Sequence, residues 1–382
     1  MKRIVRNLFV VVALSGATSS FAQTSSINVV TSAVPFLRIS PDARAGGMGD
    51  LGVATSPDAN SQFYNVAKYT FAQSPSGLGM TYTPWLKDLG LNDVYLASLA
   101  GYYQLDETQA ISGSLRYFSL GNIQFTDNLG NDLNSFRPRE FALDAGYSRK
   151  LGENLSLGVA LRYINSNLAG GQAVNGVSYK AGNAVAGDIG LYYSTEAEDG
   201  SGINLGAAFT NLGSKISYTS DATQKDFIPA NLTFGGVYNY VSNEVNRLSF
   251  GVDVHKLMVP TPPALGDSSG LANYRTKGVV GSWFSSFGDA PGGGAEELKE
   301  FSLSLGGEFS YNEQFAVRAG YFYEDKTKGN RQYFSLGAGF KSSSFGINLS
   351  YLIPSGSGVN RNPLSNTIRF SLLMDLSPSE GY

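Results

Sequence analysis

From Asn154 to Asn165 the chain reads NLSLGVALRYIN. Leu155, Leu157, Val159, Leu161 and Tyr163 fall on one face of an extended backbone. Ser156, Gly158, Ala160 and Arg162 fall on the other. Strict alternation of this kind marks a strand between two unlike environments. The same pattern recurs along most of the chain. It predicts strands near 76–83, 93–104, 108–119, 138–149, 154–165, 183–194, 201–211, 229–240, 245–256, 299–310, 314–324, 331–341, 344–353 and 366–376. Most are about ten residues long, the length that crosses an outer membrane at a tilt.

The two faces differ consistently. One carries Ile111, Leu115 and Tyr117; Phe141, Leu143 and Tyr147; Leu248, Phe250, Val252 and Val254; Ile368, Phe370, Leu372 and Met374. The other is small and polar, with Arg116, Asp144, Arg162, Asp188, Asp253, Glu308, Arg318 and Arg369. These charges are roughly balanced in sign and lysine is almost absent among them. That suits a crowded, ion-paired lumen better than a solvated exterior or a selectivity ring. Composition agrees: charged residues are only 15% of the chain, against roughly 25% in an average soluble protein. There are 46 Gly, 22 Tyr and 23 Phe, which fits a β-rich chain that meets something other than water.

Connection lengths add a second signal. The segments 105–107, 150–153, 195–200, 241–244, 311–313 and 342–343 are short. Those between them, 84–92, 120–137, 166–182, 212–228, 257–298, 325–330 and 354–365, are mostly longer. Short periplasmic turns alternating with long extracellular loops are expected of an outer-membrane barrel. The longest loop, 257–298, is rich in Gly, Pro and Ser, and loops of that length are usually functional or mobile. Tyrosines gather near strand ends at Tyr102, Tyr103, Tyr117, Tyr147, Tyr163, Tyr192, Tyr193, Tyr238, Tyr240, Tyr321, Tyr323 and Tyr351, as expected of aromatic girdles.

The expected organisation is a signal peptide at 1–22, an N-terminal plug segment at 23–75, a transmembrane antiparallel β-barrel of about 14 strands at 76–376, and a tail at 377–382. The signal reads from Lys2, Arg3 and Arg6, the apolar core Leu8 to Leu14, and Ser20-Phe21-Ala22 before Gln23. No run approaches the ~20 apolar residues of a membrane-spanning helix. The absence of cysteine excludes disulfides and thiolate metal sites, and a net charge of -3 gives no sign of a nucleic-acid partner.

Residues 41–71, PDARAGGMGDLGVATSPDANSQFYNVAKYTF, resemble the N-terminal signature of the PorV family, outer-membrane barrels of the Bacteroidetes type IX secretion system. The resemblance extends through RAGYFYE (318–324), GNRQYFSLGAGF (329–340) and SYLIP (350–354). More distantly the signature is similar to the FadL long-chain fatty-acid transporters, through a Gly-Met-Gly turn and the pattern Asp58, Ala59, Asn65 and Ala67. FadL proteins have Asn-Pro-Ala where this chain has Asn65-Val66-Ala67, and an extended N-terminal hatch. The PorV resemblance implies a non-enzymatic export component in the cell outer membrane. Its implied partners are the translocon barrel, the sortase attachment complex, the C-terminal domains of secreted proteins, and outer-membrane lipid. Its implied contact surface is the loops 120–137, 166–182, 212–228 and 257–298. The FadL resemblance implies an alternative, transport of hydrophobic small molecules. The lumen discriminates the two: a transporter needs a continuous apolar path, whereas a carrier can be plugged.

Other motifs give little chemistry. Gly47-Met48-Gly49-Asp50-Leu51-Gly52 matches G-x-G-x-x-G but lacks the strand before it and the helix after it. Gly266-Asp267-Ser268-Ser269-Gly270 matches a nucleophile elbow, as a lipopolysaccharide deacylase would need, yet it lies in the longest loop, and the single histidine, His255, is at a strand end. Asp127, Asn128, Asn131 and Asp132 could hold a weak Ca²⁺, but a plain turn explains their spacing. No catalytic, cofactor-binding or metal-binding residue is assigned, and no cofactor is expected.

Overall fold

The computed structural model describes residues 29–87, 90–126, 129–171, 173–174, 177–221, 224–243, 245–263, 266–354 and 366–376. The expected signal peptide, the tail, and Asp127 and Asn128 of the turn weighed for Ca²⁺ lie outside the described residues.

Fourteen antiparallel strands close into one barrel. They are β1 (Ser76–Pro84), β2 (Val94–Asp106), β3 (Gln109–Leu120), β4 (Arg139–Lys150), β5 (Leu155–Asn167), β6 (Gly182–Ser194) and β7 (Gly202–Gly213). They continue as β8 (Asn231–Asn243), β9 (Asn246–Leu257), β10 (Phe301–Tyr311), β11 (Phe315–Tyr323), β12 (Gln332–Lys341), β13 (Phe345–Pro354) and β14 (Ile368–Asp375). Each strand pairs with its sequence neighbours, and β1 pairs with β14 from Gly77↔Asp375 to Tyr82↔Phe370, so the sheet has no free edge. The period-two pattern located all fourteen.

The apolar face points outward. On β5, Leu161 is 74% exposed and its neighbours Ala160 and Arg162 are buried. The belt continues through Leu143, Val185, Phe234, Phe250, Val317, Phe334 and Phe370. Such a surface is unstable in water and matches a bilayer interior.

Two of the expected girdle tyrosines are placed differently. Tyr102 and Tyr192 are buried in the lumen, Tyr102 stacked on Tyr69 and Tyr192 edge-on to Phe71. Successive residues of a strand face opposite sides. In Tyr102-Tyr103 and Tyr192-Tyr193 only the second of each pair can therefore reach the belt, and both do.

The longest loop holds helices Ser268–Thr276, Val279–Ser285 and Gly294–Glu297. Asp267 caps the first by accepting from the N–H of Gly270 at 2.8 Å. The loop after β3 carries a two-stranded ribbon, Ile123–Thr126 with Asp132–Phe136.

Candidate functional site: the closed lumen and its outer mouth

Residues 29–75 fill the barrel. Irregular backbone can be buried only when its polar groups find partners, and here short capped turns supply them. Asp42 accepts from the N–H groups of Arg44 and Ala45 ahead of α1 (Ala43–Gly46). Asp58 and Ser61 form a reciprocal capping box around Ala59–Phe63. Asn65 caps Val66–Phe71, and its Nδ2 donates to the carbonyls of Val53 at 3.1 Å and Leu191 at 2.8 Å. Lys68 Nζ donates to the Gly52 carbonyl and Thr55 Oγ1, both at 3.0 Å. The signature residues Asp58 and Asn65 are thus fasteners of the plug.

Glycines on the inner wall are the seats for these turns. A Cβ on Gly158 would lie 2.5 Å from the Ala67 amide nitrogen. A Cβ on Gly47 would lie 2.9 Å from the Cα of Gly337. Gly49, with φ +70°, sits against the backbone of Tyr321. The G-x-G-x-x-G stretch is therefore a turn pressed onto β11 and β12. The N–H groups of Gly52 and Val53 donate to Asp253 Oδ2 at 2.8 and 3.0 Å.

Inward-facing charges are paired across strands and to the plug. Arg162 donates to Asp144 Oδ1 at 2.6 Å and Asp188 Oδ2 at 2.8 Å. Arg44 of the plug bridges Glu308 at 3.0 Å and Asp58 at 3.2 Å, and Arg318 donates to the same Glu308 at 2.5 Å. Arg369 holds Asp50 of the plug at 2.6 Å. Arg116 instead donates to the Leu37 carbonyl at 3.1 Å and lies over the Phe63 ring, and Asp253 takes backbone donors. The arrangement is a lattice of buried pairs that ties wall to plug, as the balanced signs suggested.

Toward the long-loop end the inner face of β2 to β6 carries an apolar cluster, which the small-and-polar reading of that face did not foresee. Leu96, Phe118, Ile164, Ala184 and Ala186 pack on Phe36 and Leu37 of the plug and on Trp85. The signal was present in the strand-end residues Leu96 and Phe118, which lie on the face that is polar further along. A cavity of about 130 Å³ remains on the outer side, lined by the polar groups of Arg38, Arg116 and His255 and by Ile39, Phe63 and Phe322. A second, of about 210 Å³, lies at the short-turn end beside Arg44, Asp58, Glu196, Arg247, Glu308 and Arg318. The plug separates them.

The elbow-like serine is not assembled into a triad. Ser268 is exposed at the start of its helix, whereas the two nitrogens of His255 meet Thr233 Oγ1 at 3.0 Å and Ser304 Oγ at 3.1 Å. Of the loops expected to carry contacts, the described parts of 120–137, 166–182, 212–228 and 257–298 all stand at one end of the barrel, around the mouth.

Solved structures share this fold. The toluene transporter TodX of Pseudomonas putida is 13% identical with a TM-score of 0.51, over 91% of this chain and 98% of that one. The toluene transporter TbuX of Ralstonia pickettii is 12% identical with a TM-score of 0.50, over 88% of this chain and 96% of that one. A Pseudomonas aeruginosa FadL homologue is 13% identical with a TM-score of 0.48, over 92% of this chain and 100% of that one. At these identities the likeness to the two toluene transporters is one of fold. A search of curated protein sequences gives no match. The family model described as "Type IX secretion system protein PorV" matches residues 22–264, more than half of the chain. With its outward apolar belt and closed lumen, the chain belongs to the PorV family of type IX secretion outer-membrane barrels.

Proposed function

We propose that this barrel is a non-enzymatic carrier that works from its outer face. Its loops hold the C-terminal domain of exported cargo, and it passes that cargo from the translocon to the surface sortase complex. The observation that carries this reading is the filled lumen. Capped turns, glycine seats and ion pairs fix residues 29–75 inside the barrel, so the exposed working surface is the loop end. The ribbon Ile123–Thr126 with Asp132–Phe136 stands at that end, an extended loop element of the kind that receives an added cargo strand. Family membership supports the secretion context.

The test is to purify the barrel in mild detergent from its native membrane and identify what accompanies it. Secreted proteins sharing a C-terminal domain are expected with the parent. They are expected to be lost when 123–136 is cut to a tight turn and the barrel still migrates as folded. Undiminished capture after trimming this ribbon together with the loops after β5, β7 and β9 would remove the reading. The alternative, transport of a hydrophobic small molecule, draws on the fold likeness to the toluene transporters. It would need an apolar path, and in this chain Phe36, Trp85 and Phe118 occupy that space themselves. Bound acyl chains without any protein would favour it.

A further inference from the structure

The excursion between β9 and β10 does more than roof the mouth. One row of the outer wall shows this. Ile189, Phe209, Leu232, Lys256 and Phe301 pair successively across β6 to β10, so they share the outward face. Ile189 is 45% exposed, as a belt residue should be, yet Leu232 is 7% and Lys256 only 1% exposed. The excursion covers them from outside. Trp283 of the helix Val279–Ser285 packs against the cluster of Ala230, Leu232 and Met258. Lys256 Nζ is clasped by Glu297 at 2.7 Å and Glu300 at 2.5 Å, with the rings of Phe287 and Phe301 beside it. Meanwhile Tyr274 and Val279 pack with Val30, Phe227 and Leu257 around the mouth. The excursion thus straddles the rim.

The helix Val279–Ser285 turns Val279, Ser282 and Trp283 toward the protein and leaves Val280 and Phe284 free. These two are four residues apart and share a face. Phe284 is 72% exposed, and Phe287 and Leu298 are exposed nearby, with exposed Lys299 next to Leu298. We propose that this helix is a membrane-surface flange: Val280, Phe284 and Leu298 dip into the outer leaflet, continuing the lipid-facing belt above the ends of β8 to β10. The argument is continuity. The helix lies on outward-facing Leu232, next along the outer face of β8 from the exposed belt residue Phe234, and it presents Val280 and Phe284 away from the wall. The outer-membrane location alone underlies this, independent of any role in cargo capture.

The chain has no cysteine, so Val280→Cys and Phe284→Cys each give a unique site for a nitroxide label. The full-length variants are reconstituted in phosphatidylcholine vesicles, with folding checked by heat-modifiable migration. Collisions with oxygen, which partitions into lipid, and with a water-soluble nickel chelate are then compared. Oxygen is expected to dominate severalfold at both sites, as at a belt control, Val252→Cys. The chelate is expected to dominate at Ala272→Cys on the preceding helix. Chelate dominance at 280 and 284 would overturn the flange and mark the patch as a surface for a protein partner.

Discussion

Arg162 on β5 donates from Nε to Oδ1 of Asp144 on β4 at 2.6 Å, with both side chains essentially sealed from solvent. The same guanidinium reaches Asp188 on β6 and Asn211 on β7, so one residue links four consecutive strands. Arg162→Leu leaves two buried carboxylates without their cation. A loss of about 3–5 kcal/mol is expected, read by urea titration of the refolding barrel. Adding Asp144→Asn and Asp188→Asn to Arg162→Leu should recover most of that loss. No recovery would mean that the arginine acts through packing alone.

The glycine seats predict position-dependent intolerance. Gly158→Ala pushes a methyl group to within 2.5 Å of the plug backbone at Ala67. Its expected cost is about 1–3 kcal/mol. Gly187→Ala, whose Cβ would meet nothing closer than 3.4 Å, should cost much less. Thermal melting followed by gel migration separates the two, and equal melting temperatures would contradict the seating.

Asp253 holds the turn of the plug through the amides of Gly52 and Val53. Asp253→Leu orphans both donors, at about 1–3 kcal/mol each. Hydrogen exchange at residues 49–55 should quicken in that variant. Asp253→Asn, whose amide oxygen still accepts, should exchange nearly as the parent does.

The closed lumen predicts electrical silence. In planar bilayers the parent should give no sustained porin-like current, and deletion of 29–75 should open one in whatever fraction of barrels still inserts. A steady large conductance from the parent would refute the closure.

The excursion should respond to acid. Glu296, at the surface, accepts from Lys328 Nζ at 2.6 Å, and this hydrogen bond lowers its pKa below the ordinary glutamate value. A lowered folded-state pKa contributes stability that is fully present above the unfolded value, about 4.3. It is lost as pH falls through the lowered value. Protease cleavage within 290–300 should therefore rise only below pH about 4, and Lys328→Met should abolish the step.

Much of this is legible in the sequence. The alternation of Leu155 to Tyr163 told which side chains face outward, because a one-residue slip in a strand would invert both faces. Balanced charges at Arg162, Asp144 and Asp188 announced pairing, since unpaired charges cannot stay buried. Which carboxylate meets which guanidinium was not legible, because it depends on register among strands tens of residues apart. Tyr102 and Tyr192 face the lumen because parity along the strand, not residue type, decides the side a tyrosine takes. The helices in 257–298 were hidden by their Gly, Pro and Ser content, and their burial comes from contacts with distant wall residues such as Leu232 and Lys256. The plug's fastening was likewise obscure: Asp58 and Asn65 stood out as a pattern, but their cap roles need the folded backbone.

The plug also constrains the order of assembly. The Ala43 amide donates to Ser371 Oγ across 328 residues of sequence, and Asp50 meets Arg369 across 319. Residues 43–50, ahead of every described strand, therefore find partners in β14, the last of those strands. Contacts so remote form late, after the entropy of closing the intervening loop has been overcome. The seam between β1 and β14 and the seating of the plug must mature together, which makes a fastened plug a molecular receipt that the final strand has arrived.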